Sequence, residues 1–428
     1  MGRRLVVAFL ALPVVTLVAC GSSDAGTIVI VKDGGSGATA DSSVATADPD
    51  SGGTATDAGS GGADSSSGKD GGPSLDAAMD AGADSGTELP GVRFVGRRDE
   101  ANPLQPRFAW PGGRIVARFS GTAASVSLDH KDGINGGTTW FDVLVDGTVV
   151  KQITTTTGTS TYTLATGLPS AIHTVELVKR TEASLGDDRF LGFTFTGGTL
   201  LAPPPAKTRR VEFVGDSMIQ GFGVEGVEPC PGGATSDTHN ARIALPALVA
   251  KDLDAEDMST TYSGKGIGRN EDATDPLRFG ALYPRALPDV ASSLWNFAAS
   301  PADVIVIVLG GTDFEASPAP TAAAYTTTLG TFFDIVRARN PTSHVILAVG
   351  GQISNFYPVG AQARTRITQA TNNVVTARNG AGDVKVYPFA FTESDGTNTT
   401  GCYEHANTTL HRQWADMIIP FIKSKTGW

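Results

Sequence analysis

The chain is poor in cysteine, with three in 428 residues, and it has only six histidines. A disulfide-scaffolded domain needs far denser cysteine, so the fold must rest on apolar cores. No Cys/His/Asp group has the spacing of a metal site, and no cofactor is expected. Walker and dinucleotide fingerprints are missing, as is any basic stripe. These absences exclude nucleotide and nucleic-acid binding. The mostly apolar run from Leu5 to Ala19 has fifteen residues, too short for a mature membrane span of about 20.

What stands at the N-terminus instead has the layout of a secretory signal, with Arg3 and Arg4 ahead of the apolar run. Leu17-Val18-Ala19-Cys20 resembles the lipobox of bacterial lipoproteins. That resemblance implies cleavage after residue 19, lipidation of Cys20 and attachment to a membrane; the alternative is an ordinary signal peptide with an incidental cysteine. Gly21 and Ser22 lack the Asp associated with inner-membrane retention, which favours the outer membrane or cell surface. Residues 20–88 read as a disordered tether. They are almost all Gly, Ser, Ala, Thr and Asp, without an aromatic, and cannot offset their ordering entropy. Residues 21–88 hold −10 of the net charge, so the acidity belongs to the tether. Its reach is roughly 45 Å root-mean-square. Cys230 and Cys402 remain as possible disulfide partners in an exported chain, and whether they meet stays open.

Residues 89–203 read as all-β. Short β-rich runs, including Arg114–Phe119, Ala124–Leu128, Trp140–Val145, Thr161–Leu164, His173–Val178 and Phe190–Phe195, are mostly separated by Gly, Asp, Asn or Pro. This pattern predicts a sandwich or jelly roll. Pro203-Pro204-Pro205 is a stiff connector. From 207 to 428 strands alternate with helices: strands at Val211–Val214, Thr260–Ser263, Asp303–Leu309, Val345–Val349 and Val384–Tyr387, and helices at Ala241–Leu253, around Tyr325–Val336 and near Gln413–Lys423. This is a three-layer α/β domain with a flavodoxin-like parallel sheet, whose site lies beyond the carboxyl ends of the strands.

Those ends carry the chemistry. Gly215-Asp216-Ser217 follows the first strand, Tyr262-Ser263-Gly264-Lys265-Gly266 the second and Gly310-Gly311-Thr312-Asp313 the third, while Cys402-Tyr403-Glu404-His405 precedes the last helix. A serine at a helix start can be both nucleophile and oxyanion donor, and a distant histidine its base. The run around Ser217 lacks the G-x-S-x-G form of the α/β-hydrolase elbow. The ordered blocks resemble the SGNH, or GDSL-type, hydrolases.

Further runs tighten the resemblance. Arg93–Arg97, Pro106–Trp110, Ile115–Thr122 and Val145–Gly147 look like the jelly-roll domain of carbohydrate esterase family 2. Pro229-Cys230, Thr238–Asn240, Ser263–Gly266 with Arg269-Asn270, and Gly401-Cys402 before His405 fit the same family. Membership implies a metal-free esterase that removes O-acetyl groups from xylan, mannan or a related glycan. Ser217 is then the nucleophile and His405 the base, with the oxyanion held by the N–H groups of Ser217 and Gly264.

Two departures stand out. Thr312 takes the place of the oxyanion-hole Asn and is the candidate third donor, but its hydroxyl is shorter and reaches a different point, and losing a donor there costs about 3 kcal/mol. Cys402 takes the place of the Asp three residues before the histidine, so His405 depends on a main-chain carbonyl or on Glu404. Trp295, Phe314 and Tyr403 are candidate stacking platforms for a sugar, and Asp313 joins them in the substrate-binding set. His411 and Asp216 read as structural, and His239 as structural or at the edge of the pocket. A surface-tethered glycan-binding protein on a weakened esterase scaffold is the rival reading; an SGNH lipase or thioesterase is a third.

Overall fold

The computed structural model describes residues 89–428 apart from Gly232 and Ala316; the signal segment, Cys20 and the tether lie outside the described residues. Alternation along the N-terminal strands turns one face inward. In Ala123–Asp132, for example, Ala124, Val126, Leu128 and His130 are buried in turn. One sheet joins β1 (Val92–Val95), β3 (Arg114–Gly121), β8 (Ala171–Lys179), β5 (Trp140–Val145) and β6 (Thr148–Thr154) in that order, with β10 (Leu200–Leu201) also on β3. The other joins β2 (Arg107–Phe108), β9 (Gly186–Thr196), β4 (Ala123–Asp132) and β7 (Gly158–Ala165). Ile115, Phe119, Val126, Phe141, Leu177 and Phe190 belong to the core of this domain, as expected for a sandwich.

The second domain is built on five parallel strands: β11 (Arg210–Gly215), β12 (Glu256–Thr261), β13 (Val304–Val308), β14 (His344–Val349) and β15 (Val386–Ala390). Their order is β12-β11-β13-β14-β15. The five residues of β13, Val-Ile-Val-Ile-Val, are all buried, as a strand covered on both faces requires. The chain leaves β11 for β12 on one side and returns to β13 on the other, so the switch point of the sheet lies beyond the end of β11.

Several boundaries differ from expectation for identifiable reasons. The second strand runs over Glu256–Thr261 instead of Thr260–Ser263. Its acidic start resembles a loop in sequence, but Glu256 and Asp257 are buried against Arg93 and Arg114 of the sandwich. The first long helix is Leu245–Asp252, preceded by a single tight turn at Ala241–Ile243, because Pro246 suits a helix start and not its middle. The last strand is shifted to Val386–Ala390 and tolerates Pro388 because it is an edge. Helix Ala363–Gly380 was not anticipated, since its apolar stripe is thin: Ile367, Ala370 and Val374 among polar residues.

Candidate active site

Ser217 opens the four-residue helix Ser217–Gln220 directly after β11. Asp216 caps it, with Oδ1 accepting from Met218 N at 3.1 Å. The other Asp216 oxygen accepts from the Thr312 hydroxyl at 3.2 Å. Burial raises Asp216 to about 6, against the lowering effect of those two bonds. The structure therefore gives Asp216 the supporting role expected of it, tying the nucleophile turn to the short helix Gly311–Glu315 after β13.

Ser217 Oγ lies 2.8 Å from His405 Nε2. On the far side of the ring, Nδ1 is 3.0 Å from both the Cys402 and the Tyr403 carbonyl oxygens. A carbonyl only accepts, so Nδ1 carries the proton and Nε2 presents its lone pair to the serine. Glu404 does not orient the ring. Its own carbonyl accepts from Gln352 Nε2 at 2.8 Å, and no side-chain bond joins it to His405 among the described residues. Tyr403 and Glu404 both have positive φ, 55° and 56°, an unfavourable setting for non-glycine residues. That turn brings the two carbonyls back to Nδ1. It is held by Glu228, which accepts from Tyr403 N at 2.8 Å, and by the Cys230–Cys402 disulfide, whose Cα atoms are 5.3 Å apart. The cysteine pairing left open by the sequence is thus present, and it anchors a carbonyl that touches the histidine. Burial holds His405 below the ordinary imidazole value of 6.5, opposed by the carbonyls and by the charges of Glu182 and Glu271. Phe222 packs against His405 and His239, with ring centroids 4.7 and 4.5 Å away.

His239 and His411 take structural places. His239 Nδ1 accepts from Gly223 N at 2.9 Å, and burial lowers it to about 4. His411 Nδ1 accepts from Leu245 N at 3.3 Å, and burial lowers it to about 3. Gly264, with φ +67°, follows β12 in a left-handed conformation that would strain most other residues.

The substrate-binding set needs correction. Phe314 is 1% exposed and meets Tyr325 edge-on at 5.3 Å, inside the core and unable to reach a sugar. Trp295 is also buried in that core. Asp313 is 1% exposed; it accepts from the backbone N–H groups of Ile267, Gly268 and Arg269 and so shapes the loop after Gly264. The Thr312 hydroxyl is engaged with Asp216, which weakens its candidacy as an oxyanion donor. Tyr403 keeps its place: it is 60% exposed and lines a cleft of about 210 Å³ with Ser217, Thr312 and His405. Tyr357 and Glu315 line the same cleft and were missed. Tyr357 was discoverable, since it lies in the loop between β14 and Ala363–Gly380, beyond a strand's carboxyl end.

Residues 94–205 match the family model described as "Carbohydrate esterase 2 N-terminal", and residues 213–413 match that of the GDSL-like lipase/acylhydrolase family. A solved family two carbohydrate esterase from Clostridium thermocellum, in complex with cellohexaose, is 33% identical. It covers 79% of this chain and 100% of its own, with a TM-score of 0.72. The chain belongs to carbohydrate esterase family 2. Among its curated relatives is the cellulase/esterase CelE of Acetivibrio thermocellus, 33% identical over 79% of this chain; this chain spans 40% of CelE's length. An acetylxylan esterase/glucomannan deacetylase of Cellvibrio japonicus is 26% identical over 81% of this chain and 94% of its own. The family's two-domain order, β-sandwich then GDSL-type hydrolase, is the order found here.

Proposed function

We propose that this family 2 esterase removes O-acetyl groups from a neutral plant-type polysaccharide, with Ser217 and His405 acting as a dyad. The observation that carries the reading is the 2.8 Å contact between Ser217 Oγ and His405 Nε2, with Nδ1 turned to two main-chain carbonyls. His405 takes the serine proton as Oγ attacks the acetyl carbonyl. The oxyanion develops against the N–H groups of Ser217 and Gly264. The imidazolium returns its proton to the departing sugar oxygen, and a second cycle with water as nucleophile releases acetate. The carbonyls of Cys402 and Tyr403 do the orienting work that an aspartate does in a triad, without supplying a full charge.

The cleft's volume of about 210 Å³ is below the roughly 300–1,000 Å³ of pockets that enclose a drug-sized ligand. It suits the acetylated edge of a chain lying across it, with Tyr403 and Tyr357 at its wall. Similarity to relatives named as acetylxylan esterase/glucomannan deacetylase supports this substrate class. Ser217→Ala should abolish acetate release from acetylated xylan and glucomannan; undiminished release would overturn the assignment.

A second reading rests on Thr312, whose hydroxyl is bonded to Asp216 instead of pointing into an oxyanion hole: a glycan-binding protein with little turnover. Sugar affinity by calorimetry without acetate release would favour it. For the N-terminal segment we propose export with lipidation at Cys20, carrying the esterase at the outer membrane or cell surface. The support is the run Leu17-Val18-Ala19-Cys20 behind a signal-like apolar stretch. Fatty-acid labelling lost in Cys20→Ala tests it.

A further inference from the structure

Glu182 belongs to the sandwich, three residues after the end of β8, yet it is 6% exposed and faces the hydrolase. Its Oε2 accepts from Gln220 Nε2 at 3.1 Å, and the same Gln220 nitrogen donates to Ser263 Oγ at 2.6 Å. Gln220 is 2% exposed and closes the helical turn that Ser217 opens. Ser263 directly precedes Gly264. One buried amide therefore bridges the nucleophile turn and the loop bearing the second oxyanion donor. We propose that Glu182 is a positioning residue for the esterase reaction, fixing through Gln220 the spacing between Ser217 and the Gly264 loop. This rests on the dyad and oxyanion-hole reading above.

The charge on Glu182 matters as well as its reach. Gln220 Oε1 is buried and has no partner among the described residues. Rotating the amide to satisfy it would aim that oxygen at the carboxylate, two acceptors face to face. Glu182 thus selects the amide orientation that donates to Ser263. Glu182 is itself preset by the sandwich. The buried Lys179 ammonium donates to the carbonyls of Thr181 and Glu182 and to the Thr181 hydroxyl, each at 3.1 Å. Next to them, Arg180 Nε donates to the His239 carbonyl at 3.2 Å, and the Arg180 carbonyl accepts from Ala241 N at 2.9 Å. The segment carrying Glu182 is thus bonded to the hydrolase through Arg180, two residues before it. Its carboxylate also acts on His405 at longer range, in company with Glu271, and opposes the effect of burial on the imidazole.

The test is steady-state hydrolysis of p-nitrophenyl acetate by full-length Glu182→Ala, Gln220→Ala, their double variant and Glu182→Gln. Oxyanion contacts exist only in the transition state, so kcat should fall on the order of tenfold while KM changes less than about twofold. The double variant should be no slower than the slower single, because both act through one path. Glu182→Gln, near-isosteric and still an acceptor, should move the acid limb of the pH profile to lower pH, since a charge favouring imidazolium is gone. Parental kcat per folded molecule in both alanine variants, or an unmoved limb in a folded Glu182→Gln, overturns the proposal. Ser217→Ala separates the two layers. If it retains turnover, the dyad reading fails; if it is inactive while the alanine variants keep parental kcat, only the role of Glu182 fails.

Discussion

At the scale of the residue, the arrangement turns on a histidine whose partners among the described residues are main-chain carbonyls and a serine. Carbonyls at 3.0 Å fix the tautomer of His405 but add less to imidazolium stability than an aspartate would, while burial works against the charged ring. The base must be neutral to accept the Ser217 proton, so activity is lost as pH falls through the His405 pKa. Because that pKa lies below 6.5, activity on p-nitrophenyl acetate should persist into mildly acidic buffer, with the midpoint of kcat/KM under 6.5. A midpoint clearly above it would contradict the burial argument. The Ser217–His405 contact and the supporting bonds of Asp216 were legible from the order of blocks at strand ends. Phe314 and Trp295 were not, because an aromatic near a strand end looks the same in sequence whether it faces solvent or core; only packing against Tyr325 and its neighbours decides.

At the scale of the element, the loop before the last helix concentrates the strain and its restraint. Tyr403 and Glu404 hold left-handed backbone, and Cys402 at the loop's base is bonded to Cys230 across a separation of 172 residues. Cys230→Ser should therefore cost stability, roughly 2–5 kcal/mol for a native disulfide, and also lower kcat, since the Cys402 carbonyl that accepts from His405 is freed. Chemical denaturation and steady-state kinetics on the same preparation check both. Full kcat in the serine variant would show that the turn holds itself. The parallel strands were recognisable because runs such as Val304–Val308 are apolar throughout. The start of β12 was not, because Glu256 and Asp257 are paired across the domain boundary with arginines some 140 to 165 residues earlier, at separations of 163 and 143, which no local pattern records.

At the scale of the whole molecule, the sandwich is welded to the hydrolase by charge. Arg97 meets Glu212 of β11 at 2.5 Å, each side chain 1% exposed, and Glu212 also accepts from Tyr283 at 3.0 Å and Thr260 at 2.7 Å. Asp142 of the sandwich binds Arg180 of its own domain and Arg242 of the hydrolase. Removing one partner leaves a buried charge unmatched, so Arg97→Met should destabilise the protein by about 3–5 kcal/mol in urea unfolding; a loss under about 1 kcal/mol would mean that the pair is solvated. The domain order was readable from composition, but this dependence of one domain on the other was not, because ion pairs between domains leave no periodicity. With the strand carrying the nucleophile so fixed, the central claim reduces to one covalent event at Ser217. The most direct measurement is mass spectrometry of enzyme quenched during turnover of p-nitrophenyl acetate. The predicted result is one acetyl group on the peptide containing Ser217, absent in Ser217→Ala; acetate released by an enzyme that never carries that adduct, or that carries it on another residue, would contradict the account.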